Sequence, residues 1–371
     1  MKVPYVALRR LPKSQCIGYP ASRLYFTSWR RGYSSSNGSF QGNFEAIRAE
    51  MLARPTQLSW DVMSPTNSSL LNIALADFIP ESCQAPAYQD GAKSIDKVDA
   101  KYELPQGHHL VYFPLQKTAS ELCPDGTDPL HSPGGPFERR MWAGGSIEFN
   151  DNFRLDSSKV VCRERVAQVT VKGSEGQEKI FVDVLREYMR AQDSHGPSMT
   201  RGISERRGLV FMRGVNQEQA RENLAKASLG RDRIVKTPHA PDFSIVLTPT
   251  PTLLFHYSAL SFNAHLIHLD PAFCREVEGH RNLLVHGPLS LTLMLSVLRS
   301  RLRPGEKIRK IDYRNLAPLY VNEPMRVCVR YSGDGGEEST GGNLRKWEVW
   351  VEDRDGGLSV RGTAVSHKSS I

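Results

Sequence analysis

The stretch "GPLSLTLMLSVLRSRLRPGE" limits what the 371-residue chain can fold into more than any other. Pro288 suits a first helical position and Pro304-Gly305 a terminator, so the run reads as a helix. From Leu289 to Leu298 it carries no charge on any face. A helix that is apolar all round must be buried all round, and a curved sheet wrapped about it achieves that. Arg299, Arg301 and Arg303 then fall at the negative end of its dipole. Strand-like segments follow at "KIDYRNLAPLYV", "PMRVCVRY", "KWEVWVED" and "LSVRGTAVS", with "SGDGGEESTGG" as a loop between two of them.

The first half has similar strand content, at "MWAGGSIEF", "VVCRERVAQVTVKG", "EKIFVDVLREYM" and "RGLVFMRG". Val166, Val169 and Val171 alternate with Arg165, Thr170 and Lys172, and "KGSEGQEK" is a turn between two strands. Upstream, "NSSLLNIALADFIPE" predicts a helix capped at Asn67 or Ser68 and stopped by Pro80. The run "HHLVYFPL" reads as a short strand, and "CPDGTDPLHSPGGPFERR" as an exposed loop bordering a pocket. Residues 215–238 are polar and read as a linker with a helical turn or two. The expectation is an α+β chain of two halves, 45–214 and 239–371, related by architecture without a sequence-level repeat.

The net charge of +8 resembles a nucleic-acid signal until it is located. Residues 1–40 contain Lys2, Arg9, Arg10, Lys13, Arg23, Arg30 and Arg31 and no Asp or Glu, so the rest of the chain carries about +1. No nucleic-acid partner is expected from so neutral a body. An Arg-rich, acid-free, Ser-containing start has the composition of a mitochondrial transit peptide, ending near Arg31-Gly32-Tyr33-Ser34. The alternative is a basic arm that stays attached. No apolar run approaches a membrane span, and six scattered cysteines without C-x-x-C suit a reducing compartment.

The chemistry concentrates in "LLFHYSALSFNAHLIHLD", residues 253–270, which reads as apolar strand and turn. A metal bound by His265, His268 and Asp270 is disfavoured, because residues three apart on a strand face opposite sides. His268 as a proton carrier with Asn263 holding a water is a second reading. A third is that both residues cap and brace a buried turn. The residues alone leave the last two open.

The run Tyr257-Ser258-Ala259-Leu260-Ser261-Phe262-Asn263-Ala264-His265-Leu266-Ile267-His268 resembles the hydratase motif of the MaoC-like, hot-dog-fold (R)-specific dehydratases. "NLLVHGPLSLTLM" is similar to that family's opening of its central helix, and "RRMWAGGSIEF" and "RGLVFMRG" resemble segments of its double-hot-dog branch. That branch includes fungal mitochondrial 3-hydroxyacyl-thioester dehydratases of type 2 and bacterial mesaconyl-C4-CoA (3-methylfumaryl-CoA) hydratases. The resemblance covers roughly residues 45 to 371 and is most specific over 257 to 291. Asn263 stands where an Asp is usual and His265 where an Asn is usual, which fits the double-hot-dog form.

The resemblance implies a double hot-dog fold, with two antiparallel sheets each wrapped on a central helix as an intrachain pseudo-dimer. It implies reversible dehydration of 3-hydroxyacyl thioesters in mitochondrial type II fatty-acid synthesis, without a cofactor. An amide cannot take a proton, so His268 is the acid/base and Asn263 orients water or the β-hydroxyl. The Gly287 N–H, at a helix start, is the expected oxyanion donor. Tyr257, His265, Arg140 and Trp142 are candidate pocket residues; Arg139 and Arg140 could meet a carrier phosphate, while His280 and His286 read as structural or exposed. Partners are an acyl-carrier protein or CoA thioester and a second copy in a homodimer, in the matrix. The alternatives are a hydratase of mesaconyl-C4-CoA type and a non-catalytic acyl-thioester binding module.

Overall fold

A computed structural model describes residues 40–85, 102–150, 153–190, 201–229, 234–337 and 343–368. Residues 1–39 of the expected leader lie outside the described residues. Residues 44–371 pack as one unit, distinct from 1–43. Ten strands form one sheet: β1 (Gln57–Val62), β2 (Arg139–Phe149), β3 (Lys159–Lys172), β4 (Lys179–Arg190), β5 (Arg201–Met212), β6 (Phe243–Leu247), β7 (Glu306–Asn315), β8 (Met325–Glu337), β9 (Asn343–Glu352) and β10 (Leu358–Lys368). Every pairing is antiparallel, in the order β1-β3-β4-β5-β2-β7-β10-β9-β8-β6.

Read inward from each edge, the two halves repeat one order. First, third, fourth, fifth and second strands meet at the β2–β7 seam, where Gly145 faces Tyr313 and Ile147 faces Ile311. The internal duplication expected from strand content is therefore present in topology, and the two expected sheets are joined edge to edge into one. Gly144 is required at the seam: a Cβ there would lie 2.4 Å from the Tyr313 carbonyl oxygen. Its φ of 145° is also one that side-chain-bearing residues rarely adopt.

Among the described residues, five α-helices accompany the sheet. In α1 (Phe40–Leu52), Phe44 and Met51 join a small apolar cluster with Val182, Val184 and Phe211. The next helix, α2 (Pro65–Leu75), is capped by Ser64, whose hydroxyl accepts from Thr66 N at 3.2 Å; the cap is three residues before the expected Asn67. In the expected linker, α3 (Gln217–Leu229) runs 13 residues. Asn216 and Gln219 cap each other there, side chain to backbone, at 2.8 and 3.0 Å, a reciprocal box that starts a helix despite its polar sequence.

The run "LLFHYSAL" is helical, not extended: α4 (Pro251–Ser261) has Thr250 Oγ1 accepting from Leu253 N at 3.2 Å and Pro251 in its first turn. "HHLV" forms a 3-10 turn, His108–Val111, rather than a strand. The fifth helix, α5 (Gly287–Arg299), is the expected central one, and every residue from Leu289 to Leu298 is buried. It packs on β7, β8 and β9, and also on the first-half turn at 108–111. Gln106 links that turn to β7, bonding Ile308 O and N at 2.6 and 2.9 Å. Among the described residues of the first half, α2 and short 3-10 turns stand between β1 and β2, so one long helix serves the core of both halves.

Candidate active site

The site is assembled by the chain leaving α4. Phe262 closes that helix in the left-handed region, at φ 51° and ψ 40°, and turns the chain back. Asn263 Oδ1 accepts from His265 N at 3.0 Å. A backbone N–H requires an acceptor, so the oxygen of the amide must face it and Nδ2 keeps its donors free of that bond, on a residue that lines the cleft. Residues Leu266–His268 form a 3-10 turn, locked from outside by Leu266 N donating to Asp125 O at 2.9 Å. Gly126 permits that docking: its φ is +81°, and a Cβ would lie 2.0 Å from the Ala264 carbonyl oxygen.

His268 ends the turn, buried, with Nδ1 2.7 Å from Leu284 O. A carbonyl can only accept, so Nδ1 carries the proton and Nε2 keeps its lone pair. Burial lowers the pKa to about 4 against the raising effect of the Leu284 bond, so His268 is neutral at physiological pH. His265 packs edge-on to it with ring centres 5.5 Å apart, and its Nε2 lies 3.5 Å from Asp125 Oδ2. Burial, with His268 and Arg140 nearby, holds His265 well below the ordinary imidazole range. His286 lies flat on the other face of the site, 3.7 Å from the His268 ring centre at 21°. It is wholly buried, with Ser258 Oγ 2.8 Å from its Nε2.

Because His286 directly precedes α5, the stack places His268 beside the start of that helix. No side chain caps it, so its first-turn N–H groups and positive dipole end remain available at the cleft. Gly287 can donate and Pro288 cannot. A Cβ on Gly287 would come within 3.2 Å of Asn315 Nδ2 and 3.3 Å of Trp142 Cβ. The glycine thus lets the helix start pack closely on β2 and β7, and a side chain there would require Asn315 and Trp142 to yield by a few tenths of an ångström.

His268, Asn263, Gly287, His265, Arg140 and Trp142 all line one cleft of about 910 Å³. Tyr257 does not. It is fully buried between α4 and α5, 3.3 Å from Thr292 Oγ1, and its expected pocket role gives way to a packing one. Arg139 is held by Glu278 at 2.6 Å, so only Arg140 of the pair reaches the cleft. Arg140, the second residue of β2, lies over the Phe211 ring at 5.0 Å, donates to Asp128 O, and forms no ion pair with a carboxylate among the described residues. Trp142 backbone O accepts from Asn315, and Arg207 covers its indole at 4.9 Å.

The sequence reading missed the other wall. Glu164, Arg186 and Arg207 line the cleft from β3, β4 and β5. Glu164 accepts from Arg186 and bonds His131, both at 2.9 Å, which holds its carboxyl well below the usual range despite burial. Glu205 takes Arg207 at 2.6 and 3.0 Å and the Tyr188 hydroxyl. The only signal was charge inside strand runs such as "RERVAQV" and "SERRG", which alternation assigns to solvent. Tyr313 and Asn315 were also missed; both line the cleft, and Tyr313 Oη and Asn315 Oδ1 have no hydrogen-bond partner among the described residues.

His265, His268 and Asp270 do not converge as a metal set, since Asp270 Oδ1 caps Ala272 N and Phe273 N. Among the described residues, the potential ligand atoms that gather within 4.8 Å belong to Asp128, His131 and Glu164, where the Arg186 guanidinium already neutralises the glutamate.

Residues 107–321 match the family model described as hydroxyacyl-thioester dehydratase type 2. The chain is 27% identical over 283 residues, 74% of this chain and 90% of the relative, to the mitochondrial hydroxyacyl-thioester dehydratase type 2 of Schizosaccharomyces pombe. It is 31% identical over 235 residues to the mesaconyl-C(4)-CoA hydratase of Chloroflexus aurantiacus, covering 62% of this chain and 76% of that one. Among solved structures, a MaoC-like dehydratase from Phytophthora capsici superposes with a TM-score of 0.58 at 13% identity, over 87% of this chain and 99% of that one. The last shares the fold.

Proposed function

The chain belongs to the hydroxyacyl-thioester dehydratase type 2 family, and from that premise we propose that it interconverts 3-hydroxyacyl and trans-2-enoyl thioesters by loss and gain of water. One observation carries the residue assignment: a neutral His268 whose Nδ1 is tied to Leu284 O, leaving Nε2 as a base on a cleft that also holds an uncapped helix start.

In this reading the thioester oxygen accepts from Gly287 N–H as charge builds on it. His268 Nε2 removes the α-proton and the electron pair moves toward the carbonyl oxygen. The Cβ–O bond then breaks, and the hydroxyl leaves as water with the proton that His268 returns. Asn263 Nδ2 donates to that oxygen and fixes its position. One base serving both atoms makes the elimination syn. Hydration of crotonyl-CoA tests the assignment. Wild type should turn it over and His268→Ala should not; equal rates in both would remove His268 from the mechanism.

A second reading rests on Arg140. Arg186 and Arg207 are each matched by a glutamate, whereas Arg140, half-buried on the same cleft and bonded to Asp128 O, makes no carboxylate ion pair among the described residues, although Asp125 and Asp128 lie near. A short acyl chain ending in a carboxylate would satisfy it. Arg140→Leu should then raise KM for a dicarboxylic enoyl thioester by about 10-fold or more while leaving crotonyl-CoA unchanged. An equal effect on both substrates would favour a carrier-phosphate contact instead.

The proposal extends to a mitochondrial location, with residues 1–40 as the removed leader and the matrix as destination; fractionation and N-terminal sequencing of the mature protein test it. The carrier is acyl-carrier protein or CoA, and a homodimer is the expected assembly, checked by kinetics on both carriers and by sedimentation. The halves 45–214 and 239–371 are proposed as duplicated domains, with the chemistry confined to the second.

A further inference from the structure

His286 is an odd residue for pure packing. Its ring is wholly buried, one nitrogen meets Ser258, and Nδ1 has no hydrogen-bond partner among the described residues. An apolar side chain would fill the same space without leaving a buried polar atom unmet. What the imidazole has instead is a flat overlap with His268, with ring centres 3.7 Å apart and 21° between planes. Two hydrogen bonds fix this geometry from either side, His268 to Leu284 O and His286 to Ser258 on α4.

The consequence lies in the charge that His268 must carry. During the elimination the Cα–H bond breaks, its electrons move to the thioester oxygen, and His268 becomes an imidazolium until it returns the proton to the departing hydroxyl. The groups around that ring are His265 edge-on at 5.5 Å, His286 face-on, and beyond His265 the carboxylate of Asp125 and the guanidinium of Arg140. No carboxylate makes an ion pair with His268 among the described residues, so the imidazolium finds little help there except a carbonyl and an aromatic face. A neutral ring face attracts a cation held against it in a dry site.

We propose that His286 is a positioning residue of the reaction: held by Ser258, its ring keeps His268 aimed at the cleft and stabilises the imidazolium that forms there. The inference rests on His268 being the base. His286→Leu removes the aromatic face, His286→Phe keeps it without the polar atoms, and Ser258→Ala frees the ring. Crotonyl-CoA hydration is followed for each from neutral pH down through the acid limb set by His268, with thermal melts as the check on folding.

His286→Leu should lose about 10-fold in kcat with KM held, and its acid limb should move to lower pH because the cationic form has lost a partner. His286→Phe should stay within about 3-fold of wild type, and Ser258→Ala should fall between. If Leu proves unfolded, His286→Gln, which can still bond Ser258 but has no ring, takes its place. Equal losses in the Leu (or Gln) and Phe variants, or a fall in rate with the acid limb unmoved, would overturn the proposal and leave His286 as packing. Full activity in His268→Ala would instead remove the base assignment itself, so the two failures are told apart.

Discussion

The cleft joins two buried polar clusters built in opposite ways. In the second half three imidazoles, His265, His268 and His286, pack ring to ring, and the nearest carboxylate contact is Asp125 at 3.5 Å from His265. In the first half Arg186, Arg207, Glu164 and Glu205 pair with one another, and Tyr188 and His131 fill remaining acceptors. The first cluster keeps a spare lone pair, and the second has used nearly all of its own. A charged, buried group with every partner in place is held still, whereas chemistry needs an atom left unmatched. In the proposed mechanism it is the spare lone pair of His268, not burial alone, that sets the imidazole cluster apart from the paired one.

Breaking each cluster should have different consequences. His268→Ala should lower kcat for crotonyl-CoA hydration by about 10³-fold, far more than the modest fall in melting temperature from losing the Leu284 bond and the His286 stack. Glu205→Ala should do the reverse. It leaves the half-buried Arg207 guanidinium and the Tyr188 hydroxyl without their carboxylate and should reduce stability by about 1–3 kcal/mol in denaturant titration. If Glu205→Ala melts like wild type, the first-half cluster is not the structural unit described.

Gly287→Ala should cost about 10²-fold in kcat, because Asn315 and Trp142 must yield to the new Cβ and the helix start shifts off the thioester oxygen. Asn263→Ala should lose about 10-fold, mainly in kcat, and Asn263→Asp should lose less, since a carboxylate can still accept from His265 N. That carboxylate would also favour protonated His268, moving the acid limb of activity upward.

The smallest effect is a graded one with pH. His268, His109 and His280 each have a pKa lowered to about 4, chiefly by burial. The unfolded chain binds protons at these sites more readily, near the ordinary value of about 6.5. Their contribution is complete above that value and is lost as pH falls toward 4. Denaturation midpoints should therefore decline over this window, and replacing His109 with Phe should flatten the decline without touching turnover at neutral pH.

The uncharged run from Leu289 to Leu298 made the central helix and its wrapping sheet legible, because ten residues without a polar face admit few environments. Strands β2 to β5 were visible as strand-like runs, with alternation argued from Val166, Val169 and Val171 of β3. The helix α4 was not, since Leu253, Leu254, Tyr257 and Ser258 face inward amid apolar neighbours and blur the period; Thr250-Pro251 was the available cue. The site was legible where residues are close in sequence, as with Asn263, His265 and His268. It was opaque where the sheet brings strands together, as with Glu164, Arg186, Tyr313 and Asn315, because a charged or polar strand residue reads as solvent-facing until its neighbours are known. His286 was read as structural or exposed and is buried; nothing local in "LVHGPL" says which ring it stacks on.

The seam between β2 and β7 has a further meaning. In a dimer of identical chains, each contact across a two-fold axis is written twice, so any substitution is imposed on both sides. Here Gly144 and Gly145 face Arg314 and Tyr313, small opposite large, a pairing that one sequence could not offer to its own copy without repeating it. A single chain is free of that constraint, so the two sides of the seam can differ, as the glycines of β2 and Arg314 and Tyr313 of β7 do.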